Sequence, residues 1–191
     1  MTRSAILVLP FLLAACVSTK PVNLSEHFTP PRAAIGTAHV PAGGACVVTL
    51  AHIRDLRSDT QSMGYIGARP VRAADTAAWL RSGFQSLNRD PRIKIADGTS
   101  GASGLVLNVE MLKAYMISIT TDKSATLVLR VRYTAGNAPV QEQIYRGTNT
   151  SSNWDAGDGE TQTAFDAALE QALLSIDADI VARCAAASAK P

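Results

Sequence analysis

Charge is scarce and balanced in this 191-residue chain, with 18 basic against 16 acidic side chains. A net charge of +2 leaves no electrostatic footprint for a nucleic acid, so no nucleic-acid partner is expected. Cysteine is scarce too, and three are too few for a disulfide-dense mini-protein. The histidines are His27, His39 and His52, and none stands in a His-rich, Cys-x-x-Cys or His-Glu-x-x-His spacing. Neither a metal nor another cofactor is therefore expected. No Gly-x-Ser-x-Gly elbow presents a serine nucleophile. The stretch from Gly98 to Gly104 has the glycines of an anion-binding loop but no P-loop lysine, and a strand pattern follows it, so it reads as a surface turn. Asp155 and Asp158 stand where helix caps are wanted rather than where a catalytic pair would be. No catalytic residue is assigned. What remains is 47% apolar, too much for a disordered chain and enough for one domain with a real core.

The longest uncharged apolar run, Ala5 to Ala15, has 11 residues, whereas a membrane-spanning helix needs roughly 20. Pro10 interrupts it, and Arg3 supplies a positive start. A charged start, a short apolar centre and small residues at its end describe a secretory signal peptide over residues 1–15. The run closes on Leu13-Ala14-Ala15-Cys16, which resembles the bacterial lipobox. That chemistry needs small residues for the peptidase to approach and a thiol to take the diacylglycerol. Cys16 is the expected lipidation site, and membrane lipid is its expected partner. More than one acyl chain gives stable anchoring without a spanning helix. By resemblance to bacterial lipoproteins, Val17 implies sorting to the outer membrane, since Asp there is the usual inner-membrane retention signal.

Cys46 and Cys184 remain, one opening the first strand pattern and one closing the last helix pattern. The periplasm permits a disulfide between them, provided their Cα atoms lie within about 7 Å. The alternative is two buried thiols packing as small hydrophobes.

Residues 16–44 carry Pro21, Pro30, Pro31 and Pro41 and end in Gly43-Gly44, a composition that reads as a flexible tether. Residues 45–191 read as a single periplasmic domain. Cys46 to Ile53 is apolar on both parities and is placed inside a sheet. Arg54 to Ala74 reads as a long loop or loose hairpin. Asp75 caps a helix to about Asn88, with Trp79, Leu80, Phe84 and Leu87 on one stripe. Strands are expected at Arg92 to Ala96, Gly104 to Leu112 continuing to Thr120, Ala125 to Tyr133, and Val140 to Thr148, the last at an edge. Asp122-Lys123 is expected to make the turn between the two long strands. In the last helix Phe165, Leu169, Ala172, Leu173, Ile176, Ile180 and Cys184 span about 120° of one face. Asp179 and Arg183 stand four apart on it, close enough to pair. The fold class is α+β, a mostly antiparallel sheet with two helices packed on one face.

Asp55-Leu56-Arg57, with Tyr65 and Arg69 nearby, forms a candidate partner-binding loop at the end of the first strand. The competing reading, and the stronger one, is that Asp55 and Arg57 hold the loop together by internal hydrogen bonds.

These features resemble the YajG-type family of bacterial outer-membrane lipoproteins. The resemblance rests on Leu13-Ala14-Ala15-Cys16, Asp55-x-Arg57, Gly64-Tyr65-Ile66-Gly67, Leu105-Val106-Leu107-Asn108-Val109 and Ile144-Tyr145-Arg146-Gly147. It implies an α+β envelope lipoprotein with no enzymatic activity. Cys46 and Cys184 depart from the family pattern. The expected function is a non-enzymatic, lipid-anchored accessory of the outer membrane that binds an envelope protein, glycan or lipid. An auxiliary subunit of an envelope lipid-transport or secretion complex is the alternative. A hydrolase of envelope polymers would need a deep pocket with two convergent carboxylates.

Overall fold

The computed structural model describes residues 20–31, 45–98, 104–136, 138–154 and 157–188. Cys16, the signal run, His39 and most of the Gly98–Gly104 turn lie outside these residues.

The sheet is built around two long strands, β6 (Leu105–Ile119) and β7 (Asp122–Ala135), paired antiparallel along their whole length. A third, β8 (Gln141–Ser152), pairs antiparallel with β7 and forms one edge. On the other side of β6 lies β2 (Cys46–Asp55), and beyond it β5 (Ile93–Asp97), both pairings parallel. The strand order β5-β2-β6-β7-β8 puts β2 in the interior of the sheet, as expected, but only its Val48 and Leu50 parity is buried, and Val47 on the other face is 47% exposed. Helix α1 (Thr76–Gln85) makes the crossover from β2 to β5, which a parallel pair needs. The Asp75 carboxylate accepts from the Ala78 amide as its N-cap. A 3-10 turn, Ser86–Arg89, completes the expected helix.

Helix α2 (Asp158–Ser188) runs along the same face as α1. Phe165, Leu169, Ala172, Leu173, Ile176 and Ile180 are all buried in one core with Trp79, Phe84, Leu107, Val109, Leu127 and Leu129. Gly147 is where β8 meets this helix, and a Cβ there would stand 1.7 Å from the Ala168 carbonyl oxygen. The edge strand lies so close to α2 because residue 147 has no side chain.

Three expectations are corrected. Residues 20–31 are not tether. β1 (Val22–Leu24) pairs parallel with β4 (Arg69–Ala73), which pairs with the short β3 (Tyr65–Ile66), giving a second, three-stranded sheet. Val22, Leu24 and Phe28 are buried, and the amides of Ser25, Phe28 and Thr29 donate to Gln162, Ser82 and Asp166. The prolines set the composition, but three apolar side chains and these hydrogen bonds fix the segment. The β6–β7 turn is Thr120-Thr121, with Thr120 at φ 51°, and Asp122 already pairs with Ile119. Lys123 sits inside the strand because its buried ammonium group reaches Glu160 Oε1 at 2.9 Å and the Ser152 carbonyl at 2.7 Å. Asp158 is the first helical residue rather than a cap, and the Gly157 carbonyl takes the first helical bond, from the Thr161 amide.

Candidate functional site

The loop after β2 is held from within. Arg57 Nε and Nη2 donate to both oxygens of Asp55, the closest at 2.7 Å, and Nη1 and Nη2 donate to the carbonyls of Ser62 and Thr60. Thr76 Oγ1 donates to the same carboxylate at 2.9 Å. Burial alone would raise the Asp55 pKa, but the Arg57 and Thr76 hydrogen bonds and the guanidinium charge together hold it below the usual carboxylate range. With Arg57 buried, neither of these charges is presented to a partner. Gly64, at φ 92°, brings the chain against β6, where a Cβ would meet the Met116 carbonyl at 2.2 Å. Next to it Tyr65 is exposed, while Arg69 is drawn to the Lys20 carbonyl at 3.0 Å and to Asp158 at 3.3 Å. The four residues of the candidate loop therefore divide. Asp55 and Arg57 are a clamp, Arg69 ties Lys20 to α2, and Tyr65 is exposed.

The opposite end of the sheet holds the disulfide. Cys46 and Cys184 are bonded, with Cα atoms 6.0 Å apart across 138 residues of sequence. Beside it opens a groove of about 820 Å³ between the starts of β2 and β6, the end of β7 and the last turns of α2. Leu105, Pro139, Val181 and Ala185 give it apolar walls, and Arg92, Tyr133, Gln141 and Arg183 are among its polar groups.

Two buried networks back this groove. Tyr145 donates to the Asp179 carboxylate, and the Tyr133 hydroxyl, 2.6 Å from that of Tyr145, is then the donor to it. Burial pushes the Tyr133 phenol up to about 12 and the Tyr145 phenol upward as well. Arg183 does not pair with Asp179. Its guanidinium lies over the Tyr133 ring, 4.1 Å from the centroid, and donates to Gln141, leaving Nε buried without a partner. The second network is Asp90–Arg92–Asp177. Arg92 binds both oxygens of fully buried Asp90, at 2.5–3.0 Å, and stands 3.8 Å from Asp177. The Arg92 hydrogen bonds hold Asp90 below the usual carboxylate range. Burial, and then the charge of Asp90, push Asp177 up to about 6, with Arg92 opposing. Both carboxylates lie beneath Arg92 and neither lines the groove.

The sequence pointed to the disulfide and to residues 179 and 183, but not to the groove, which is made by elements far apart in the chain. Inward parity marked Tyr133, yet a buried phenol needs a polar partner, and that signal was available. Among the described residues no group of three His, Cys, Asp or Glu side chains is placed to hold a metal ion.

No protein-family model and no curated protein sequence matches the chain. Among solved structures it is similar to a Xanthomonas campestris protein of the DUF330 family model, with TM-score 0.50, 16% identity, 86% of this chain and 93% of that chain covered. A minor lipoprotein from Acinetobacter baumannii matches with TM-score 0.45 and 8% identity over 69% of this chain and 91% of its own. A putative lipoprotein from Caulobacter crescentus matches with TM-score 0.45 and 13% identity over 73% of this chain and 93% of its own. At these identities the likeness to the Xanthomonas protein establishes a shared fold.

Proposed function

We propose that the protein is a non-enzymatic, YajG-type lipoprotein, anchored through acylated Cys16 to the periplasmic side of the outer membrane and binding an envelope partner with the groove beside its disulfide. The observation that carries this reading is the Cys46–Cys184 bond, because such bonds persist in exported proteins and are rare in reducing cytosol. An exported chain with Leu13-Ala14-Ala15-Cys16 after a short apolar run is a substrate for lipidation. Among the described residues no helix is long and apolar enough to cross a membrane, and acyl chains on Cys16 would give attachment without one. A binding role, rather than catalysis, is supported by how four buried or half-buried carboxylates are used. Asp55, Asp90, Asp166 and Asp179 each accept hydrogen bonds that hold the fold.

The test is mass spectrometry of the purified protein with fractionation of cells carrying Cys16→Ser. An acylated residue 16, and release of the variant from the outer membrane, are expected. An unmodified thiol, or a variant that still follows the outer membrane, overturns the anchoring.

The second reading, an auxiliary subunit of an envelope lipid-transport or secretion complex, is favoured by the groove's size and apolar lining. A stoichiometric transporter recovered with the protein from detergent-solubilised membranes supports it, and recovery of the protein alone counts against it.

A further inference from the structure

Several large exposed apolar side chains of the domain lie at one end of it, and Lys20, the first described residue, lies at that same end. Trp154 is 88% exposed, Ile119 69% and Tyr65 57%, with Ile117 half exposed. The hydrogen bonds show that they are neighbours. Ile119 precedes the β6–β7 turn, and the Thr121 carbonyl of that turn accepts from the amide of Asn153, next to Trp154. Asn153 Nδ2 donates to Ser118 at 3.3 Å. The bridge between Gly64 and Met116 sets Tyr65 beside Ile117 along β6. Glu160 joins the Trp154 amide, at 3.4 Å, to Lys123 of β7, at 2.9 Å. Arg69 joins the Lys20 carbonyl to Asp158. Lys20, the first described residue, is thus fastened beside the start of α2.

Cys16 stands four positions before Lys20. Four residues reach at most about 14 Å even when fully extended. Residues 20–31 are folded onto the domain, so no longer tether exists to lift this end away from an anchor at Cys16. The end that carries Trp154, Ile119, Ile117 and Tyr65 is therefore held within a few residues' length of the bilayer.

We propose that this end of the domain docks on the phospholipid surface that holds its own anchor, with Trp154 and Ile119 entering the interface and Tyr65 and Ile117 beside them. Tryptophan and tyrosine favour the headgroup level because they join an apolar ring to a polar tip. A largely exposed tryptophan near an exposed isoleucine at a strand end has a high cost in water and a low one there. The lipid surface is the occupant because chain length leaves this end nowhere else to be. The inference rests on anchoring at residue 16, and the experiment separates the two.

The protein is anchored through residue 16 in vesicles of equimolar phosphatidylethanolamine and phosphatidylglycerol, by its own acyl chains or, where mass spectrometry finds a free thiol, by a maleimide lipid coupled to Cys16. The natural anchor is judged by that mass spectrum and the docking by fluorescence. The chain has two tryptophans, and Trp79 is buried with its Nε1 donating to Asp166 at 2.8 Å. Replacing the lipids with brominated phosphatidylcholine should quench the Trp154 part of the wild-type emission and leave that of Trp79. Trp154→Phe should lose none. Wild-type emission untouched by bromolipid, or the same loss in Trp154→Phe, overturns the docking whichever way the mass spectrum falls.

Discussion

Breaking the Cys46–Cys184 bond is expected to be the largest covalent perturbation available in this fold. The bond closes a loop of 138 residues and joins the first residue of β2 to the last full turn of α2. In the chain-entropy model a loop of that length constrains the unfolded chain by about 5 kcal/mol at 25 °C. That is an upper figure, since reduced unfolded chains retain structure, and about 3–5 kcal/mol is the expected loss. Cys46→Ala/Cys184→Ala avoids burying new polar groups, because Cys184 lies against the core. The assay is urea unfolding of the purified protein, comparing this variant with wild type, with and without a reductant. With a urea slope of about 2 kcal/mol/M, the midpoint should fall by roughly 2 M in the variant and by a similar amount in reduced wild type. The variant should not respond to reductant. Midpoints for oxidised and reduced wild type within a few tenths of a molar unit would refute the reasoning, because a bond that constrains the unfolded chain must show in the equilibrium.

Gly147→Ala should cost about 3 kcal/mol or more, read as a lowered melting temperature, because the added methyl meets the backbone of α2 and the helix must move off the sheet. Arg57→Met should cost about 3 kcal/mol by urea unfolding, since it strips the half-buried Asp55 of its principal donors; an unchanged midpoint would show that the clamp contributes nothing. Asp177, raised from 3.8 to about 6, binds its proton more tightly folded than unfolded. Its contribution to stability is therefore full below about pH 4 and is lost as pH rises through about 6, the reverse of Asp55 and Asp90, whose lowered values favour the folded state at neutral pH. Asp177→Asn should raise the urea midpoint at pH 7.5 more than at pH 5, and an equal effect at both would sink that assignment.

Periodicity carried most of the fold into view. The stripe on α2 and the alternation of Leu105 to Met111 and of Leu127 to Tyr133 are local signals of burial, and each sits where its pattern requires, whereas of the two apolar parities of Cys46 to Ile53 only the one with Val48 and Leu50 is buried. The parallel pairing of β2 to β6 was not legible, because alternation says which face is inward and nothing about strand direction. β1 was hidden by its prolines, since only three apolar residues and a set of distant hydrogen-bond acceptors bind it. Lys123 looked like a turn residue for the same reason. A buried lysine is recognisable only once Glu160, far along the chain, is placed beside it. The candidate loop was legible in part. The Asp55-x-Arg57 spacing allows a clamp, and a clamp is what the side chains make, whereas the groove at the other end depends on four elements that no local pattern relates.

The fold has a direction, and the two proposed contacts lie at its two ends. β2 and β6 run parallel, so Cys46 and Leu105 share one end, while Ile119 marks the other. α2 runs the opposite way, with Asp158 near Lys20 and Cys184 bonded to Cys46. A helix of 31 residues is roughly 45 Å long. With the Trp154 end resting on lipid, the groove lined by Arg92, Tyr133 and Arg183 stands about that far out from the surface. A partner that meets it there need not touch the bilayer. The disulfide, joining β2 to α2, then lies at the far end. This arrangement makes a joint demand on the two proposals. A ligand found to enter the groove directly from the membrane plane would count against an upright docking on the Trp154 end, because the groove lies at the opposite end of the sheet.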